Sequence, residues 1–179
     1  MKAFSTYRAQ GGQWDLLLVG TPLWRRRRFD ARQSVEDLPD QLRNHVHTSG
    51  WLPQDQLAQV LSSAGALVFI PWFEGFGIPM VEAFAAGTPV IHGNRTSLPE
   101  VAAGAGLEVD PGHANQVAEA MRRIEDEPAL RAALIEKGKD RAEDFSWEKT
   151  SSLLWSCIEQ AASDAGVDMS VGKGGSASA

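Results

Sequence analysis

The chain has 179 residues, a net charge of −6, 43% hydrophobic residues and 22% charged residues, an ordinary composition for one globular domain. The acidic balance argues against nucleic-acid binding, and the single cysteine, Cys157, excludes an internal disulfide and a zinc site built from cysteines. The apolar runs are too short to cross a membrane, and the first residues form no apolar leader. We therefore expect a cytoplasmic protein with no transmembrane segment, and leave open a peripheral position at the inner membrane face.

The first part of the chain predicts alternating helices and strands. In order these are a helix over 3–10, a strand over 16–19, a loop and irregular helix over 21–44, a strand over 46–50 and a helix that opens at Pro53. The first strand is entirely apolar, which is typical of a strand covered on both faces. The loop contains four consecutive arginines, Arg25–Arg28. We interpret them as a solvated segment, with phosphate or lipid headgroup binding as the alternative.

Three more strands are predicted over 66–70, 89–93 and 107–111. Helices are predicted to start near Ile78 or Pro79, at Leu98, after an Asn115 cap, at Pro128 (with an interruption or end at Gly138) and after a Ser146 cap. Strands alternating with helices at this spacing predict an α/β, Rossmann-like domain with a mainly parallel sheet flanked by helices. The ordered domain is expected over residues 1–162, followed by a disordered tail rich in Gly, Ser and Ala over 163–179.

The turn between the third strand and its helix carries the chemistry. Glu74 follows the strand, Gly75 and Gly77 lie in the turn, and Glu82 is expected in the first helical turn. Ligands of parallel sheets bind at the carboxyl ends of the strands, where a helix N-terminus favours phosphate. The helix N-terminus can bind the phosphates of a ligand, and the two carboxylates can accept hydrogen bonds from sugar hydroxyls on either side of them. A nucleotide-sugar has both kinds of group. The alternatives are that Glu82 only complements the helix dipole, that Glu74 is solvated, and that the glycines serve only the turn.

This segment also resembles a known signature. Residues 74–90, with Glu74 and Glu82 separated by seven residues, resemble the E-x7-E motif of retaining GT-B glycosyltransferases of the family 4 type. Three further segments resemble that family in the same order: Gly-Trp-Leu-Pro at 50–53, Ser-Leu-Pro-Glu-Val at 97–101 and Asp-Phe-Ser-Trp-Glu at 144–148. The resemblance covers about residues 14–160.

The resemblance implies transfer of a hexosyl group from a nucleotide-diphosphate sugar to an acceptor hydroxyl, with retention of configuration. It makes Glu74 the catalytic candidate, which contacts the donor sugar near the reacting carbon. It assigns Glu82 to the ribose hydroxyls, and it implies no cofactor and no bound metal. The full donor-binding set is Glu74, Gly75, Phe76, Gly77, Ile78 and Glu82, with backbone amides around Phe76–Ile78 holding the sugar and diphosphate.

The resemblance also implies that parts of the enzyme lie outside this chain. The chain matches only the C-terminal, donor-binding half of a GT-B fold, so an acceptor domain or partner subunit is expected to complete the active site. The family's first strand, with the Arg and Lys that follow it, has no counterpart before residue 1. In the strand order 3-2-1-4-5-6 that strand is central, so the strands over 16–19 and 66–70 should each lack one neighbour.

The sequence leaves one alternative function open and argues against another. A truncated or degenerate nucleotide-sugar-binding module without activity is the alternative. A nicotinamide-dependent oxidoreductase fails because the turn lacks the third glycine of the dinucleotide fingerprint. The four histidines match no metal-ligand spacing; His92 is the one that follows a strand on the ligand side, where a structural role is the usual one.

Overall fold

A computed structural model describes residues 1–20, 35 and 38–167. The helices are α1 (Lys2–Ala9), α2 (Asp40–Arg43), α3 (Gln54–Ser63), α4 (Ile78–Ala85), α5 (Leu98–Ala102), α6 (Ala114–Asp126), α7 (Pro128–Ala142) and α8 (Trp147–Asp164). The strands are β1 (Leu16–Val19), β2 (Val46–Gly50), β3 (Leu67–Phe69), β4 (Val90–Gly93) and β5 (Leu107–Val109). The arginine block Arg25–Arg28, most of the predicted loop and residues 168–179 lie outside the described residues.

The strands form two sheets, and within each sheet neighbouring strands are parallel. One sheet pairs β1 with β2, and the other has the order β3-β4-β5. Helices separate consecutive strands, so the predicted α/β class with parallel sheets flanked by helices is confirmed. The division falls between β1 and β3, the two strands for which the sequence predicted a missing neighbour.

Two apolar clusters hold the first compact unit, residues 1–142, together. The larger cluster joins β4 and β5 to α6 and α7 through Ile91, Val109, Val117, Ile124 and Leu134. The smaller one joins α1 to β2 and α6 through Phe4, Tyr7, Val46 and Ala118. The helices therefore fix the position of both sheets through side chains that are almost fully buried.

A buried phenol ties the amino-terminal helix to the rest of this unit. The Tyr7 hydroxyl donates to Glu125 Oε2 at 2.7 Å and accepts the Trp14 N–H at 2.8 Å. Burial and the Glu125 carboxylate raise the pKa of Tyr7 to about 12, so the phenol stays a hydrogen-bond donor at any physiological pH.

Some local predictions were wrong. β1 is not covered on both faces: Leu16 and Leu18 pack on the smaller cluster, but Leu17 and Val19, on the other face, are 41% and 44% exposed. Pro53 lies just before α3 as its N-cap, and α6 begins at Ala114, with His113 rather than Asn115 at its N-cap.

Gly138 neither interrupts nor ends α7. A Cβ at this position would lie 2.8 Å from Phe84 Cδ1, so the absence of a side chain allows α7 to pack closely against α4. The glycine is explained by helix packing and not by a helix end.

The second unit begins at Glu143 and contains α8. The Ser146 hydroxyl accepts the Lys149 N–H at 3.1 Å, which confirms the predicted cap. The helix exposes large apolar side chains: Trp147, Leu153, Leu154, Trp155 and Ile158. No helix within residues 1–20 and 38–167 is long and apolar enough to span a membrane.

Candidate functional site

The Glu74–Glu82 turn lies where the sequence predicts it, between the carboxyl end of β3 and α4. Gly77 precedes α4 with a φ of +106°, and a Cβ there would lie 3.0 Å from Leu98 Cδ2. The turn therefore needs glycine at this position. Gly75 differs, because its φ is not positive and a Cβ would meet open space. A role in the turn explains Gly77 but does not explain Gly75.

The Glu74 side chain folds back over the turn. Its Oε1 accepts the N–H groups of Gly75 at 3.0 Å and Phe76 at 3.4 Å. Two of the backbone donors predicted to hold a ligand are thus paired with this carboxylate. A ligand that uses these amides has to displace Glu74 from them, and the displaced carboxylate is then available to hydroxyl groups of the same ligand.

Residues Thr96 and Ser97 hold the turn from the side. The Glu74 N–H donates to Thr96 Oγ1 at 3.2 Å. The Ser97 hydroxyl lies 3.0 Å from the carbonyl oxygen of Glu74 and 3.1 Å from that of Phe76, and it donates to this pair. Thr96 has a φ of +54°, a left-handed conformation that is rare for a β-branched residue. Such strain persists where the surrounding contacts enforce it, as these hydrogen bonds do.

Glu82 lies one turn deeper in the helix than predicted. Since α4 begins at Ile78, Glu82 is in its second turn, and no acidic residue lies in the first. Its Oε1 accepts a hydrogen bond from Gln54 Nε2 at 2.9 Å, and Gln54 is the first residue of α3. Dipole complementation is therefore a poor explanation of Glu82, because that effect falls off beyond the first turn.

The start of α4 carries no side-chain cap. Ile78 is exposed there, and Phe76 is partly exposed beside it. Because the first amides of a helix have no intrahelical acceptor, this end can bind an oxyanion. The structure thus brings Glu74, Gly75, Phe76, Gly77 and Ile78 together at one helix end, with Glu82 one turn further along.

A cationic side chain lies next to Thr96. Arg95 Nη2 donates to Asp110 Oδ1 at 3.1 Å, and its Cζ lies 4.7 Å from the centre of the Trp72 ring. The Gly112 N–H, Arg95 and His113 hold the pKa of Asp110 below its usual value. Asp110 therefore stays ionised and keeps the Arg95 guanidinium against the aromatic residue that precedes the Glu74 turn.

The histidines do not form a metal centre. His92 is 2% exposed, its Nδ1 lies 3.0 Å from the Gly93 carbonyl oxygen, and burial lowers its pKa. His45 and His47 both contact Asp15, on the residues that open β1 and β2, at the strand ends opposite the turn. Over residues 1–20 and 38–167, no group of three or more His, Cys, Asp and Glu side chains is placed to hold a metal ion.

Sequence reasoning missed four residues that shape the site: Gln54, Arg95, Thr96 and Ser97. Ser97 lies in the 97–101 segment that resembles the family, but the resemblance assigns no role to its hydroxyl. Gln54 and Thr96 contact the turn from positions 28 and 22 residues away in the chain. The role of Gln54 had one local signal in the sequence, which is that a polar residue starts the helix after Pro53.

Known proteins support the assignment of this fold to an enzyme class. The family described as Glycosyl transferases group 1 matches residues 1–141. The chain belongs to this family. The chain is 33% identical over 103 residues to O-antigen chain mannosyltransferase B of Escherichia coli. It is 34% identical over 120 residues to MMP alpha-(1->4)-mannosyltransferase of Mycolicibacterium hassiacum.

These matches involve only part of each relative. The aligned regions cover 58% and 65% of this chain but 27% and 29% of the two mannosyltransferases. The chain therefore aligns with less than a third of the length of these Glycosyl transferases group 1 relatives.

Solved structures of other proteins are also similar to this chain over part of their length. Sucrose-phosphate synthase of Thermosynechococcus elongatus is similar at a TM-score of 0.74 and 30% identity, over 91% of this chain and 42% of that protein. Anabaena HepE, solved with UDP-glucose, is similar at a TM-score of 0.75 and 19% identity, over 88% of this chain and 44% of its own. The structural neighbours are GT-B glycosyltransferases, which confirms the predicted fold class for this Glycosyl transferases group 1 chain.

Proposed function

We propose that this chain is the donor-binding part of a retaining hexosyltransferase of the family 4 type, which takes its sugar from a nucleotide diphosphate. The observation that carries the proposal is the turn at the carboxyl end of β3, where two carboxylates flank an uncapped helix N-terminus. Membership of the Glycosyl transferases group 1 family supports a glycosyl donor over other phosphorylated ligands.

In this proposal each group of the turn has one task. Glu74 turns away from the Gly75 and Phe76 amides and accepts hydrogen bonds from the donor sugar near its reacting carbon. The amides that Glu74 releases, together with the start of α4, hold the diphosphate. Glu82, oriented by Gln54, accepts hydrogen bonds from the two ribose hydroxyls. The open space at Gly75 supports this arrangement, because it leaves room for the sugar against the backbone.

The rate of such a transfer depends on the negative charge that develops on the departing diphosphate. Preorganised N–H donors and a helix N-terminus stabilise that charge without reorganising during the reaction. We propose that the site works in this way without a bound metal. In this step the bond between the anomeric carbon and the diphosphate breaks, and a bond to the acceptor oxygen forms with the anomeric configuration retained. The part of the enzyme that holds the acceptor lies outside this chain.

The acceptor-binding part belongs to the proposal because the chain aligns with less than half of each relative described above. We propose that a further domain or a partner subunit supplies it and that the isolated chain transfers no sugar efficiently. The second candidate function, a nucleotide-sugar-binding module without activity, is favoured by the division of the sheet between β1 and β3.

Calorimetry on the purified chain tests the donor site directly. UDP-glucose and GDP-mannose are titrated separately into the wild type, Glu82→Ala and Glu119→Ala. Glu119 is an exposed glutamate on α6 and serves as the matched control, because its loss changes the net charge equally. We expect weak binding of one nucleotide-sugar, a loss of affinity in Glu82→Ala and no change in Glu119→Ala.

The possible results of this titration distinguish between the proposed roles of the site. Binding that is equally strong in Glu82→Ala contradicts the ribose role of this carboxylate. Binding to the wild type without hydrolysis or transfer, after an acceptor domain has been restored, supports the inactive binding module. Failure of both nucleotide-sugars to bind in a folded chain overturns the donor-site proposal.

A further inference from the structure

Three segments meet around the Arg95 side chain at the carboxyl end of the larger sheet. They follow β3, β4 and β5 and carry Trp72, Arg95 and Asp110 respectively. The Asn94 N–H donates to the Val109 carbonyl oxygen at 2.9 Å, which continues the pairing of β4 with β5 one residue beyond β4. Arg95 and Asp110 are the next residues on each side. Their backbones are therefore held by the end of the sheet.

The Arg95 guanidinium connects the other two segments. Its Nη2 donates to Asp110 Oδ1 at 3.1 Å, and its Cζ lies 4.7 Å from the centre of the Trp72 ring. Trp72 is 65% exposed, so packing in the core does little to hold it. A cation over an indole face is attracted by the ring. The guanidinium therefore fixes the side chain that lies two residues before Glu74.

Arg95 leaves one of its own donors unpaired in this position. Its Nε is buried and has no acceptor within residues 1–20 and 38–167. Since a buried N–H without a partner is unfavourable, a side chain placed only to pair with Asp110 is expected to use Nε as a second donor to the carboxylate. The observed orientation therefore indicates that the contact with Trp72, as well as the ion pair, sets the position of the guanidinium.

The backbone of Arg95 also reaches the turn, through Thr96. The Thr96 hydroxyl donates to the Arg95 carbonyl oxygen at 2.8 Å and accepts the Glu74 N–H at 3.2 Å. Because Arg95 uses the hydroxyl hydrogen, the lone pairs of the same oxygen are left for Glu74. Arg95 thus holds the start of the turn at two points, which are the Trp72 ring and the Glu74 amide.

We propose that Arg95 is a positioning residue for the donor sugar, which acts on Glu74 through Trp72 and Thr96. Arg95 itself binds no part of the donor. Its contacts with Asp110 and Trp72 fix the backbone before Glu74, so that the carboxylate meets the sugar hydroxyls in one defined position. A displacement of about 1 Å is enough to weaken such contacts strongly. The inference rests on the proposed function, because it concerns how Glu74 contacts the donor.

Amide exchange of the full chain without ligand tests the contact with the turn. The variants are Arg95→Ala, Arg95→Lys and Arg123→Ala. Arg123 is the matched control, because it is an arginine of α6 that pairs with a carboxylate, Glu127, and its side chain is 46% exposed against 40% for Arg95. We expect exchange at Glu74 to become at least about threefold faster in Arg95→Ala and to stay unchanged in Arg123→Ala. Arg95→Lys should lie between the two, because lysine keeps the charge but lacks the planar group that stacks on Trp72.

Calorimetry with paired ligands separates positioning from general damage to the fold. Each variant is titrated with UDP-glucose and UDP, and with GDP-mannose and GDP. We expect Arg95→Ala to weaken binding of the nucleotide-sugar at least about fivefold and to leave the matching nucleoside diphosphate within about twofold of the wild type, because Glu74 contacts only the sugar. Damage to the fold would weaken both ligands alike.

A double-mutant cycle tests whether Arg95 acts through the Trp72 ring. Trp72→Leu removes the aromatic face but keeps an apolar side chain. If the ring transmits the effect, the double variant should bind the nucleotide-sugar no more than about twofold more weakly than Arg95→Ala alone. Additive losses would show that the two residues act independently and would contradict the proposal.

The remaining results distinguish the positioning role from the proposed function. Unchanged exchange at Glu74 in Arg95→Ala, full affinity of this variant for the nucleotide-sugar, or equal losses for the nucleotide-sugar and the nucleoside diphosphate would overturn the positioning role alone. Failure of the wild type to bind all four ligands would overturn the proposed function and, with it, the role of Arg95 in donor binding.

Discussion

The side-chain amide of Gln54 donates to Glu82 Oε1 at 2.9 Å, across 28 residues of sequence. This bond connects the first residue of α3 to the second turn of α4. It directs one carboxylate oxygen of Glu82 toward α3, and it fixes the rotamer of the residue that we assign to ribose.

We predict that Gln54→Ala weakens nucleotide-sugar binding on the order of three- to tenfold, roughly the 1 kcal/mol value of one hydrogen bond. The loss should be smaller than in Glu82→Ala, because Gln54 positions the carboxylate and does not itself bind the ribose. Calorimetry measures both affinities, with Gln56→Ala as the control, because Gln56 is an exposed glutamine two residues further along α3. Equal affinity in Gln54→Ala and wild type would show that this bond has no role in binding.

The two glycines of the turn should respond differently to alanine. Gly77→Ala forces a side chain into a left-handed conformation and against Leu98, so it should cost roughly 1–3 kcal/mol in the free energy of unfolding. Gly75→Ala should leave the melting temperature unchanged, because a Cβ there meets open space. It should still weaken donor binding, since the added methyl group occupies the space proposed for the sugar. Unchanged donor binding in Gly75→Ala would remove that assignment.

Ser97→Ala removes the hydroxyl that donates to the carbonyl oxygens of Glu74 and Phe76. We expect a loss of about 1 kcal/mol in the free energy of unfolding. We also expect faster hydrogen exchange at Gly75 and Phe76 than in the wild type. Ser62→Ala is the control, because the Ser62 hydroxyl contacts only the exposed backbone of its own helix. A change of equal size in the two variants would mean that Ser97 does not stabilise the turn specifically.

The lowered pKa of His92 predicts how the free energy of unfolding depends on pH. Burial lowers its pKa from the ordinary value of 6.5, while the Gly93 carbonyl and Glu108 oppose this shift. The unfolded chain therefore binds a proton at this residue before the folded chain does. Above pH 6.5, His92 should therefore not change the free energy of unfolding. Below pH 6.5, its protonation in the unfolded chain should lower the free energy of unfolding as the pH decreases.

Chemical denaturation between pH 7 and 5 checks this prediction. In His92→Leu the decrease attributable to this residue should disappear. In Glu108→Gln it should become larger, because the negative charge that favours protonated His92 is gone. An identical pH dependence in wild type and His92→Leu would contradict the assignment.

Local sequence patterns were sufficient to predict the helices and strands that position the site. Apolar runs bounded by glycine and proline located β3, β4 and α4, and with them the turn that carries Glu74. The roles of Glu74 and Glu82 stay predictions. Among the described residues, β1 pairs only with β2 and β3 only with β4, which agrees with the strand order expected from the family resemblance. The effect of Gly138 was mispredicted because its reason lies in Phe84, a residue of another helix.

Residues that act through distant contacts could not be found in this way. Neither the strained backbone of Thr96 nor the pairing of Gln54 with Glu82 leaves a signal in the neighbouring sequence. The predicted start of α4 near Ile78 was correct, but Glu82 was wrongly placed in the first turn, because a residue four positions after Ile78 already lies in the second turn.

The hydrogen bonds from Gly75 and Phe76 to Glu74 mean that the protein carries its own anion in the position proposed for the donor. A simple anion such as sulfate competes with this carboxylate for the same amides but has no hydrogen-bond donor for the carboxylate that it displaces. A glycosyl diphosphate supplies both: oxyanions for the amides and hydroxyl groups for Glu74. In the role that we propose, the turn thus selects a ligand with both negative charge and sugar hydroxyls by exchange of hydrogen-bond partners, and it discriminates against anions that have only the charge.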